Sequence, residues 1–247
     1  MSGHSHAKTV KRVKDANDAA RGKIFSKLSR VITLAAREGG SPEFNAKLKS
    51  AIDEAKKFNM PKDTIERAVK KGTGELEGEA LEAISVEILG PAGVGIIVEG
   101  ITDNKNRSMG EIKQIAQKRN CKIASEGAVK WQFNQAGIIT INQKSDIRNQ
   151  KESGNLELLA IEVGAIDMEK YQEDGEDFLE ITTKPEELAM VKTALEEKGL
   201  VLESANLGWV AKEKITVSQN DKDLLEKLFE DLDENDSVQS VYSNLKN

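Results

Sequence analysis

Between residues 23 and 37 four bases recur at helical spacing with no acid among them: Lys23, Lys27, Arg30 and Arg37. At roughly 100° per residue they fall within about 80° of one another, nearly opposite the centre of a stripe of Ile24, Phe25, Leu28, Val31, Ile32 and Ala35. Cations gathered on one accessible surface suit phosphate neutralisation, because each contact releases condensed counterions and the gains accumulate. A solvated helix face is the blander account, but ordinary exposed faces mix both signs. Lys8, Lys11, Arg12, Lys14 and Arg21 extend the set towards the N-terminus. No helix-turn-helix spacing, zinc finger or heptad-linked basic region places side chains at base edges. The chain has six Phe, two Trp and two Tyr, with no aromatic run that would make a sheet an RNA platform.

Other arrangements with chemical potential resolve into structural roles. The one cysteine, Cys121, excludes an internal disulfide and a thiolate zinc site. His4 and His6 are the only histidines, too few for a histidine-based catalytic arrangement; a free Ser2-Gly3-His4 end can hold Cu²⁺ or Ni²⁺, but a basic arm is the simpler account. Gly90-Pro91-Ala92-Gly93-Val94-Gly95 lacks the Gly-Lys-Ser/Thr ending of a phosphate loop and precedes an apolar strand, so it reads as a hairpin turn. Asp231, Asp233 and Asn235 imitate a calcium loop, but Asp236 and Tyr242 stand where glycine and glutamate are needed. Glu173, Asp174, Glu176 and Asp177 around Gly175 read as a charged turn. At Asp103-Asn104-Lys105-Asn106-Arg107 a strand gives way to a helix, with Asn104 or Asn106 as the cap and Arg107 as a candidate anion contact. No acid pair comes with a ligand set for a metal-dependent nuclease. The expectation is a protein without catalytic residues, metal or cofactor.

Those residues must be carried by a chain of 247 residues, 38% hydrophobic and 32% charged, long enough for two or three domains. No apolar run approaches the roughly 18 to 20 residues of a membrane span, and the N-terminus lacks the apolar stretch of a signal peptide, so a cytoplasmic protein with no membrane partner is expected. Residues 1–71 hold 17 Lys and Arg against 8 Asp and Glu, a net of +9, while the remainder carries −15. Such an asymmetry predicts a basic part that meets a polyanion and an acidic part that faces solvent or a protein partner.

Apolar spacing predicts three helices in the basic part: one through residues 23–37, one over 45–58 with Leu48, Ile52, Ala55 and Phe58 inward, and one opening at Pro61 and capped by Gly72. The Gly- and Glu-rich stretch 72–79 reads as a linker. Beyond it the period alternates, with strands expected at 84–89, 94–102, 128–133, 137–142, 165–170, 177–183, 206–217 and 237–242. Helices are expected at about 107–118, 153–163, 185–198 and 221–232. Residues 137 to about 210 follow the split βαβ, ferredoxin-like order, and the flanking pieces suggest a second copy interrupted by the first. The predicted class is α+β: a helical bundle at 1–78, an α+β domain at 79–135 with 211–247, and an inserted ferredoxin-like domain at 136–210.

Several runs then carry a family resemblance: Gly3-His4-Ser5, Arg21-Gly22-Lys23-Ile24-Phe25-Ser26-Lys27-Leu28, Asn59-Met60-Pro61-Lys62-Asp63-Thr64-Ile65-Glu66-Arg67-Ala68, Lys70-Lys71-Gly72-Thr73-Gly74-Glu75 and Thr102-Asp103-Asn104-Lys105-Asn106-Arg107. On these the chain resembles the YebC/PmpR family, which has a eukaryotic relative in a mitochondrial translational activator. The resemblance implies a helical domain, two α+β domains and no catalytic residues. It implies either a DNA-binding transcriptional regulator or a ribosome-associated translation factor. In the first, Lys11, Arg12, Lys14, Arg21, Lys23, Lys27 and Arg30 contact phosphates. In the second, the same bundle docks on ribosomal RNA, with Lys62, Arg67, Lys70, Lys71 and Arg107 extending the footprint. The chain departs from the family at its start, where His6-Ala7 replaces the usual Lys-Trp and Thr9 to Val13 differs from Asn-Ile-Gln-His-Arg.

Overall fold

The computed structural model describes residues 18–78, 80–143, 156–173 and 175–246. Helices α1 (Asp18–Ala36), α2 (Ala46–Lys57) and α3 (Lys62–Thr73) form the basic part. Of the apolar stripe expected of α1, Ile24, Leu28 and Ile32 pack, with Ala36, against Leu48, Ala51, Ala55, Phe58, Met60, Ile65 and Ala68, while Phe25, Val31 and Ala35 are partly buried. Asn45 caps α2, its side chain accepting from the Leu48 N–H at 3.0 Å. Gly74, at φ +82°, ends α3 in the left-handed conformation that glycine adopts without a Cβ penalty. Gly72, the expected cap, instead lies inside α3 where α1 crosses it. A Cβ at Gly72 would stand 2.4 Å from the Thr33 carbonyl oxygen and 2.6 Å from the Ala36 Cβ. Only glycine permits that approach.

Two antiparallel four-stranded sheets with helices follow, an α+β architecture. Strands β1 (Glu82–Leu89), β2 (Gly95–Thr102), β3 (Lys122–Ile123) and β8 (Val238–Ser243) make the first sheet, in the order β3-β1-β2-β8. Helices α4 (Lys105–Lys118) and α7 (Gln219–Asp233) cover it through Ile112, Ala116, Leu225, Leu228 and Leu232. Strands β4 (Phe133–Asn142), β5 (Asp167–Glu173), β6 (Glu176–Thr183) and β7 (Leu202–Ala211) make the second, in the order β5-β6-β4-β7. Helices α5 (Leu156–Glu162) and α6 (Leu188–Glu197) pack on it through Ala160, Val191 and Leu195. In sequence the whole second sheet falls between β3 and β8. The two sheets meet where Ile97, Val129, Phe133 and Tyr242 bury one another, and the Trp209 indole donates to the Glu99 carboxylate at 2.8 Å.

One expectation for the first sheet is corrected. It opens on the β1–β2 hairpin, as the strands expected at 84–89 and 94–102 and the turn between them imply. The strand expected at 128–133 is a turn with one 3-10 segment at Lys130–Gln132, and the edge strand is the short β3. The cause is buried Glu87, whose carboxylate accepts from the N–H groups of Gly127 and Val129 at 2.5 Å and of Lys130 at 2.9 Å. With the Val129 and Lys130 donors taken by that carboxylate, the chain turns here, and strand pairing begins only at Phe133.

Candidate nucleic-acid interface

The basic stripe of α1 turns towards the second domain, with Lys27 and Arg30 partly buried and Lys23 and Arg37 still exposed. Helix α7 ends in Asp231, Asp233 and Glu234 and has no base in its last turn, so cations reach that end from other elements. Arg119 pairs with Asp231 at 2.8 Å, and helix α1 brings three more. Lys23 pairs with Glu234, and the Lys27 ammonium donates to the Asp233 carbonyl oxygen at 2.7 Å. Arg30 donates to the carbonyls of Asp236 at 2.8 Å and Ile101 at 3.2 Å, and Arg37 donates to the Leu81 carbonyl at 2.5 Å. Cations at a helix C-terminus are favourable because they oppose the negative end of the backbone dipole. Burial pulls the Lys27 ammonium below its ordinary value, although Asp233, Asp236 and Glu234 act against that shift. Lys57, which composition did not single out, makes a second joint by donating to the carbonyls of Leu202 and Glu203 at 3.0 Å.

The other predicted cations divide differently. Arg21 is exposed with its guanidinium 6.0 Å from the Phe25 ring centroid. Lys62, Arg67, Lys70 and Lys71 are all exposed on α3. Lys62 lies 3.5 Å from Glu66, whereas Arg67, Lys70 and Lys71 make no ion pair among the described residues. Spaced at i, i+3 and i+4, these three occupy one side of the helix. Lys8, Lys11, Arg12 and Lys14, like the Ser2-Gly3-His4 end, lie outside the described residues. Arg107 is half-exposed and engaged by Asp103 at 2.5 Å and Glu111 at 4.0 Å. Asn104, not Asn106, caps α4, accepting from the Arg107 N–H at 3.1 Å.

Between α1 and α3 runs a cleft of about 230 Å³ lined by Ser26, Ser29, Arg30, Thr33, Thr64, Arg67, Ala68, Lys71 and Leu81. Three of these residues are cationic and none is acidic. A phosphate-sized anion fits its chemistry better than an apolar ligand does. Burial pushes the Cys121 thiol up to about 11, which leaves it without nucleophilic thiolate at neutral pH. No cluster of three His, Cys, Asp or Glu that could hold a metal ion occurs among the described residues. Gly90 to Gly95 is the β1–β2 hairpin turn, with Gly93 at φ +82°. Among the described residues no helix is long and apolar enough to cross a membrane.

Comparison with known proteins follows the same division of the chain. A model described as the TACO1/YebC protein N-terminal domain matches residues 5–75, and one described as the TACO1/YebC second and third domain matches residues 81–245. A "probable transcriptional regulatory protein" of Kosmotoga olearia is 43% identical over 247 residues, spanning 100% of this chain and 94% of the relative. Another of that name from Persephonella marina is 44% identical over 251 residues, spanning 100% and 96%. The crystal structure of a conserved hypothetical protein from Aquifex aeolicus superposes with a TM-score of 0.81 at 41% identity, over 93% of this chain and 91% of that one.

Proposed function

The chain belongs to the TACO1/YebC family, and from that premise we propose that it is a non-enzymatic, DNA-binding transcriptional regulator. Its phosphate-facing surface is the outer side of α3 together with Arg21 and the basic residues Lys8, Lys11, Arg12 and Lys14, while the cations of α1 serve as the joint to the second domain. One observation carries this reading: Arg67, Lys70 and Lys71 are exposed on one side of α3 without an ion pair among the described residues. Unpaired surface cations pay no cost of breaking a partner before they take a phosphate. The names of the relatives support regulation as the purpose of that contact. In the same reading the acidic α+β units meet protein partners, with the chain divided at 1–78, 79–135 with 211–247, and an inserted ferredoxin-like 136–210. The position of the second sheet's strands between β3 and β8 supports that division.

A second reading, a translation factor on ribosomal RNA, is favoured by Phe44. This ring is 91% exposed in the α1–α2 loop of the basic bundle, where it can stack on an unpaired base. Co-sedimentation with ribosomes across a salt series, beside binding to a defined DNA duplex at the same ionic strengths, separates the two. The regulator binds duplex at salt that strips it from ribosomes. Ribosome retention at salt that abolishes duplex binding overturns the first reading in favour of the second.

A further inference from the structure

We propose that the cleft between α1 and α3 is a discrete seat for one phosphate group, gripped by Arg30, Arg67 and Lys71. The inference rests on the nucleic-acid reading and names a specific contact within it, a backbone phosphodiester. Two polar stripes face each other across the cleft. On α1, Ser26, Arg30 and Thr33 recur at i, i+4 and i+7; on α3, Thr64, Arg67 and Lys71 recur at i, i+3 and i+7. The floor is closed, because Gly72 lets the helices approach and the Thr33 hydroxyl donates to the Ala68 carbonyl at 3.1 Å.

The grip combines a fixed donor with free ones. Both hydrogen bonds of Arg30 to the second domain come from Nη1, so the rest of its five-donor fork stays available. A guanidinium already held in place loses little rotamer freedom when it takes an anion. Arg67 and Lys71 have no ion pair, and the hydroxyls of Ser26, Ser29 and Thr64 no hydrogen bond, among the described residues. An ordinary gap between surface helices of a chain with 42 acids and 36 bases would carry both signs. This one carries no acid: beside Ala68 and Leu81 its side chains are all cations and hydroxyls, the donor set that phosphate oxygens require.

The test uses the full chain and the double variant Arg67→Gln with Lys71→Gln. A control, Lys47→Gln with Lys49→Gln, removes the same charge from α2 outside the cleft. The probes are a defined DNA duplex over a salt series, and inorganic phosphate followed through the backbone amide resonances of Ser29, Thr64 and Arg67. The seat predicts at least tenfold weaker duplex binding for the cleft variant, with the log–log salt slope shallower by about one, and little change for the control. It also predicts that millimolar phosphate shifts the three amides in the wild type and not in the cleft variant. Saturable phosphate shifts with duplex binding equal in both proteins keep the seat but assign it to a free phosphate or small phosphorylated ligand. A wild type that binds no duplex refutes the DNA-binding reading, and the phosphate arm then decides the seat alone. Equal duplex binding by all three proteins, with no amide shifts, overturns the proposal.

Discussion

Replacing Lys27 with methionine should destabilise the whole chain, although by sequence this lysine belongs to a cationic surface stripe. Its ammonium donates to the last carbonyl of α7 at 2.7 Å, beside Asp233, Glu234 and Asp236. A hydrogen bond from a charged group is worth about 1.5–3 kcal/mol, and a cation at a partly buried helix C-terminus up to about 2 kcal/mol, two views of the same contact. Methionine retains most of the aliphatic stem, so the loss is taken as about 2 kcal/mol, from the ammonium alone. For a chain of this size that corresponds to a fall in melting temperature of about 4–8 °C. Lys27→Glu should cost more, since it sets a fourth anion against three. Exposed, unpaired Lys70 provides the comparison, because a surface substitution of this kind stays within about 0.5 kcal/mol. Scanning calorimetry measures all three, and limited proteolysis near residues 74–80 reports whether the bundle has come off. If Lys27→Met melts with the wild type and with Lys70→Met, Lys27 does not hold the bundle to α7. If it melts early, weakened nucleic-acid binding in a Lys23→Glu, Lys27→Glu variant would reflect lost docking.

Glu87 and two glycines give further tests. Burial alone would raise the Glu87 carboxyl, yet three backbone N–H donors and the Lys130 charge hold it below its ordinary 4.5. Its contribution is therefore full above the unfolded value and lost as pH falls through the lower folded value. Glu87→Gln should destabilise by about 1–3 kcal/mol at pH 7, with the gap to wild type closing below about pH 4.5, as melting curves across pH would show. No closing of the gap would mean that the carboxylate charge is not what holds residues 127–130. Gly72→Ala should lower the free energy of unfolding, read from denaturant titration, by about 1–3 kcal/mol despite its gain in helix propensity, because the new methyl meets the Thr33 carbonyl. Gly110→Ala, inside α4 with nothing within 4 Å, should raise it by about 0.5–1 kcal/mol, and equal effects at the two sites would contradict the close α1–α3 crossing.

Much of the fold is legible in the sequence because it follows from periodicity. Ile24, Leu28 and Ile32 on α1, Leu48 and Ala55 on α2, and Ile65 and Ala68 on α3 are inward in both sequence and structure. Alternation likewise finds seven of the eight strands, with shifted ends. What periodicity does not carry is the partner of a polar group. The acceptors of Lys27, Arg30 and Arg37 are backbone carbonyls at Asp233, Ile101, Asp236 and Leu81, and a carbonyl leaves no mark in sequence. Lys23 meets Glu234 across 211 residues of chain. The missing strand at 128–133 has the same origin, since its N–H groups go to a carboxylate some forty residues upstream. One signal was available: α7 ends in Asp231, Asp233, Glu234 and Asp236 with no base, so that helix terminus needed cations from elsewhere.

The net charge of the bundle therefore overstates what it can offer a polyanion. Lys23, Lys27, Arg37 and Lys57 are bound to the α+β units, where a phosphate would compete with their internal acceptors, whereas Arg30 holds its two carbonyls through Nη1 alone and keeps its other donors. On α3, Arg67, Lys70 and Lys71 are exposed without an ion pair among the described residues, and Arg67 and Lys71 line the cleft. Arg30 belongs to both systems, holding Ile101 and Asp236 on one side and facing Arg67 and Lys71 on the other. A phosphate drawn into the cleft would thus bind a guanidinium that the second domain has already oriented. Docking and anion binding are favourable together, because the ligand selects the state in which that guanidinium is held. The acidic end of α7 is in this sense part of the anion site: it neutralises the cations of the joint and leaves those of α3 to face outward.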